Sequence, residues 1–166
     1  MVTVDAPPLE AVYREAYPGG VARGIPLHIT VLYPFVPVAE LGEDELAQVR
    51  AAVEPHRAFE FALARVETFA EVVWLAPEPV ESFRALLADV QRAFPAYPPY
   101  GGLHDEVIPH ATLTTVEPGQ LDTTLATLRP RVEPLLPLAQ RADALTLLVE
   151  EEPDRWRERL RITLPR

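Results

Sequence analysis

A chain that writes one short plan twice must fit two similar pieces of backbone into a single fold, and this sequence does so. Gly19, Gly20, His28 and Thr30 recur, each 82 positions on, as Gly101, Gly102, His110 and Thr112. Tyr17-Pro18 and Tyr97-Pro98 precede the glycines, and an Ile-Pro pair lies close before each histidine. The second proline slides by one residue to sit directly beside His110. Repetition at a near-constant offset marks duplicated supersecondary units. A repeat ending in His-x-Thr points to two half-sites facing each other.

On a strand, alternate side chains share a face, so His28 and Thr30 project together while Ile29 and Val31 project the other way. The second copy repeats this, with Ala111 and Leu113 opposite His110 and Thr112. The apolar face needs a core, which leaves imidazole and hydroxyl to a cleft. Imidazole exchanges protons near neutrality and a threonine hydroxyl can donate to a phosphoryl oxygen. Two copies supply a base and an acid.

The motifs His28-Ile29-Thr30-Val31 and His110-Ala111-Thr112-Leu113 resemble those of the two-histidine phosphoesterase superfamily, which includes RNA 2',3'-cyclic phosphodiesterases and bacterial 2'-5' RNA ligase-like proteins. The longer run Pro26-Leu27-His28-Ile29-Thr30-Val31-Leu32-Tyr33-Pro34-Phe35 looks like the ligase-like branch, and the resemblance covers nearly the whole chain. It implies catalysis by His28, Thr30, His110 and Thr112 on 2',3'-cyclic phosphate ends of RNA or nucleotides, with reversible 2'-5' ligation as a second capacity. The alternatives are a 2'-5' oligonucleotide or nucleotide-sugar cyclic phosphodiesterase, and a non-catalytic module that binds a nucleotide or RNA end.

Composition narrows the chemistry. With no cysteine, disulfides, thiol nucleophiles and thiolate metal sites are excluded. Every basic side chain is arginine, so the covalent lysine intermediate of an ATP-dependent ligase is excluded too. A net charge of −10 opposes a broad grip on long RNA, which depends on neutralising phosphates, and favours a small nucleotide or an RNA terminus as partner. No cofactor or metal is expected: His28, His104 and His110 lack compact ligand spacing. His104-Asp105 lacks a serine motif to complete a triad, since Ser82 falls in an expected helix. No run is apolar enough for a membrane span and the first residues lack a secretory pattern, so a cytoplasmic monomer is the expectation.

Along the chain, apolar spacing predicts helices over residues 8–17, 43–54 and 79–94, and a further helix through Leu121, Leu125 and Leu128 that Pro130 ends. Strands are expected over 59–66 and 69–76 with a turn at Glu67-Thr68, and over 144–150 and 156–164. Pro18-Gly19-Gly20 opens a first loop, in which Arg23 reads as solvated, with a phosphate contact as the alternative. His56 reads as a surface residue and Trp74 as core. Residues 95–109 form a second loop in which Tyr97 and Tyr100 could hold a base, with Gly101-Gly102 allowing closure.

Tyr33 and Tyr100 are candidate substrate-binding residues, together with Arg159 and Arg161 from an arginine stripe that could line the cleft and attract phosphate but reads first as the wet face of an edge strand. In that strand Trp156, Leu160 and Ile162 share the other face. The repeat units, about 8–77 and 79–165, predict one α+β domain over 1–166, with two pseudo-symmetric lobes whose antiparallel sheets face a central cleft and whose helices lie outside.

Overall fold

The computed structural model describes residues 1–104 and 106–166, so the reading of Asp105 lies outside the described residues. Five α-helices occur among them: α1 (Pro7–Ala16), α2 (Pro18–Ala22), α3 (Glu43–Val53), α4 (Glu81–Ala93) and α5 (Leu121–Val132). The strands are β1 (Val2–Thr3), β2 (His28–Ile29), β3 (Phe59–Thr68), β4 (Val72–Glu78), β5 (Ala111–Thr115), β6 (Leu138–Ala142), β7 (Ala144–Glu152) and β8 (Arg155–Thr163). The class is α+β, with helices flanking an antiparallel sheet that nearly closes on itself and a smaller second sheet.

Proline starts α1 and α2, where a missing N–H costs nothing. One stripe of each long helix is apolar: Leu9, Val12 and Tyr13 on α1, and Phe83, Leu86 and Val90 on α4, are buried. These stripes join Ile29, Leu63, Leu75, Ala111 and Leu113 of the sheet in one hydrophobic cluster. Burying a side chain of this size stabilises by about 1.5–3 kcal/mol, so the sheet face opposite the motif side chains carries the core.

The main sheet runs β1-β2-β5-β4-β3-β6, every pair antiparallel. The two motif strands, one from each repeat unit, are therefore hydrogen-bonded neighbours, joined at Ile29 opposite Ala111. The β7–β8 hairpin continues the sheet past β1, because Met1 and Thr146 exchange both backbone hydrogen bonds, 2.9 and 2.8 Å.

Several local expectations are corrected. The stretch after Pro18 is not a loop but helix α2; Tyr17 packs so closely over Gly20 that a Cβ there would lie 2.2 Å from its ring. Helix α5 runs through Pro130 to Val132: burial of Leu128 and Val132 on one stripe offsets the lost hydrogen bond. Strand β3 continues through Thr68, moving the turn to 69–71, where Phe69 stacks on Trp74 with ring centroids 4.8 Å apart. Strands β1 and β6 carried no sequence signal, the first being two residues long and the second a weakly β-forming Leu-Ala-Gln-Arg-Ala. His56 is not a surface residue: it is half-buried, its Nε2 3.0 Å from Asp89 Oδ2, and links the end of α3 to α4.

Candidate active site

The register at Ile29 and Ala111, carried one residue to either side, sets His28 opposite Thr112 and Thr30 opposite His110. All four side chains line one cleft of about 680 Å³. The repeat places its two half-sites side by side on one curved sheet.

Both histidines are oriented by the same local device. His28 Nδ1 donates to Pro26 O at 2.8 Å, and His110 Nδ1 donates to Ile108 O at 2.7 Å. In each case the acceptor is the carbonyl two residues earlier, which explains why the prolines can slide while the histidines keep their pose. Donation from Nδ1 leaves the Nε2 lone pair as the working atom. The Thr30 hydroxyl donates to His28 Nε2 at 3.2 Å. His110 stands edge-on to Phe69 and Trp74, with centroids at 5.1 and 5.7 Å, so aromatic walls limit its rotation.

Burial lowers the His28 pKa from 6.5 to about 4, against an opposing pull from the Pro26 carbonyl and with smaller lowering by the chain's amino group and His110. Burial likewise lowers that of His110, partly offset by the Ile108 carbonyl. Both shifts favour the neutral rings at pH 7. A phosphate between them, being anionic, favours protonation of one.

Strand β5 shows how the chain serves both sides of the sheet. The register skips Leu113 between Trp74–Thr112 and Val73–Thr114, so the alternation changes phase there. Thr112 and Thr115 line the cleft, whereas Leu113 and Thr114 are buried. Thr114 Oγ1 donates to Ala16 O at 2.5 Å, anchoring the end of α1. Trp74 is core, 7 % exposed, with its indole nitrogen unpartnered among the described residues.

Of the other candidates, Tyr33 and Tyr100 line the cleft. Tyr100 adopts left-handed backbone angles (φ 51) ahead of Gly101 (φ 65) and Gly102 (φ 77), and its N–H donates to Tyr33 O at 2.6 Å. That turn brings its phenol beside the Thr30 hydroxyl, and burial raises its pKa. Tyr97 lies outside the cleft lining, packed on Phe35 with its hydroxyl 3.4 Å from Glu40. Arg159 and Arg161 also lie outside it: both are exposed, and Arg161 pairs with Asp143 at 3.3 Å.

The register of β8 skips Arg159, passing from Leu147–Leu160 to Leu148–Glu158. This bulge transfers Trp156 from the side of Leu160 and Ile162 to that of Thr146, so Trp156 lines the cleft. Sequence alternation missed it for that reason. Arg23, read as solvated, also lines the cleft. Its sequence signal is its place in the stretch that leads into the first motif strand, where an arginine could reach a phosphate.

Among the described residues no three His, Asp or Glu side chains cluster as metal ligands, and no helix is long and apolar enough to cross a membrane. The arrangement supplies two proton-transfer groups and two hydroxyl donors around one site.

Compared with curated proteins, the chain finds no match. A family model described as the 2'-5' RNA ligase superfamily matches residues 4–154, a span that holds both His-x-Thr motifs. With that match over most of its length, and with the paired motifs adjacent in one cleft, the chain belongs to the 2'-5' RNA ligase superfamily.

Proposed function

We propose that this protein is a phosphodiesterase acting without a metal on 2',3'-cyclic phosphate ends of RNA or nucleotides. The observation that carries the reading is the antiparallel pairing of the two motifs, which sets two Nδ1-anchored imidazoles and two threonines around one cleft. One Nε2 takes a proton from water as its oxygen bonds to phosphorus. The bond from phosphorus to one ribose oxygen breaks, and the other imidazole, protonated, gives its proton to that oxygen. Thr30 and Thr112 donate to the non-bridging oxygens and stabilise the charge that builds there. With the 5'-hydroxyl of a second RNA end in place of water, the same attack on the cyclic phosphate, breaking the bond from phosphorus to the 3' oxygen, gives a 2'-5' linkage without ATP, the one ligase route open to a chain without lysine.

Incubation with nucleoside 2',3'-cyclic phosphates, in the presence of chelator, tests the proposal through the monophosphate that appears. His28→Ala and His110→Ala are each expected to lower turnover by about a hundred- to ten-thousandfold, the usual worth of one acid or base group. Unchanged turnover in both variants would sink the mechanism. Tight binding of cyclic nucleotide with no product would instead leave a binding module.

A further inference from the structure

Arg23 is the one arginine among the described residues lining the cleft, in a chain of net charge −10. It is held in place: Nε donates to Gly19 O at 3.1 Å and Nη2 to the Tyr17 hydroxyl at 3.3 Å. Its side chain remains 37 % exposed, and among the described residues the nearest carboxylate, Asp154, lies at 3.8 Å and is itself 81 % exposed. The guanidinium therefore keeps donors free for an anion.

The backbone fixes this arginine against an aromatic wall. Trp156 N donates to Arg23 O at 2.8 Å, and Gly24, at φ +81, runs so close to β8 that a Cβ would lie 2.6 Å from Trp156 O. The Trp156 ring in turn sits 6.4 Å from that of Tyr33. Neither motif uses these groups.

We infer that Arg23 forms a second anion subsite and that the substrate is a nucleotide carrying a phosphate besides the one acted on: a 5'-phosphate, or the neighbouring phosphodiester of an RNA end. The Tyr33–Trp156 pair offers ring faces to the base. This rests on the cyclic phosphodiesterase reading for the reacting phosphate, but is tested by equilibrium binding, which needs no turnover.

Calorimetry would compare adenosine 3'-monophosphate, adenosine 3',5'-bisphosphate and a diadenosine dinucleotide ending in a 3'-phosphate. The second phosphate is expected to tighten binding by about ten- to a hundredfold, the worth of a charge-assisted contact. The bisphosphate and the dinucleotide separate a terminal phosphate from an internucleotide one. In Arg23→Gln the preference should collapse towards one. In Asp154→Asn, a residue already in left-handed backbone (φ 60) that asparagine tolerates, it should rise by about two- to threefold as the competing carboxylate goes. Equal affinities in the wild type, or a preference that survives Arg23→Gln, overturns the subsite. Should that variant not fold, a preference unmoved in Asp154→Asn does so. Loss of cyclic nucleotide turnover with the binding preference intact would reject the catalytic reading alone.

Discussion

Each imidazole in this cleft is turned by a carbonyl two residues behind it, and burial then holds both pKa values below the ordinary 6.5. Catalysis through one neutral and one protonated ring has its greatest kcat/KM between the two free-protein values. The pH profile of kcat/KM should therefore be bell-shaped with its maximum on the acid side of 6.5; a maximum above neutrality would contradict the burial. Stability follows the same shift. Between 6.5 and about 4 the unfolded chain binds a proton at His28 that the folded chain refuses, so the His28 contribution is present above 6.5 and is lost as pH falls towards about 4. Urea titrations across that window should show a smaller loss in His28→Gln than in the wild type.

At the scale of elements, bulges and close backbone contacts decide which side chains reach the cleft. The skip at Leu113 frees Thr114 to bind α1 while Thr112 keeps the cleft. Thr114→Val should leave the Ala16 carbonyl without its buried partner and cost about 1–3 kcal/mol. For a domain of this size thermal melting would record that as a fall of roughly 2–4 °C per kcal/mol. Gly24→Ala should cost about 1–3 kcal/mol from its left-handed backbone alone, and more from the clash with Trp156 O. That variant should also loosen nucleotide binding, because α2 and β8 can no longer meet. A melting temperature equal to wild type would show that the contact can relax.

For the whole molecule, net charge sets the terms of substrate capture. A chain at −10 repels distant phosphates, and screening shortens the range of that repulsion from about 30 Å at 0.01 M salt to about 8 Å at 0.15 M. Over that range kcat/KM for a cyclic nucleotide should stay level or rise, whereas an enzyme that grips RNA through many phosphate contacts loses affinity steeply. A steep fall with salt would point to a basic surface that the composition does not provide. The α+β class, the helix stripes and the four motif side chains were legible in the sequence, because helical period, strand alternation and residue type are local properties of the chain. His28 and Thr30 share a face whatever lies around them. The adjacency of β2 and β5, the arrival of Trp156 and Arg23 in the cleft, and the removal of Arg159 and Arg161 from it were decided only by the tertiary structure. Strand order, bulges and close backbone approaches arise between segments distant in sequence, and a single skipped residue in a register reverses which side chains face the site.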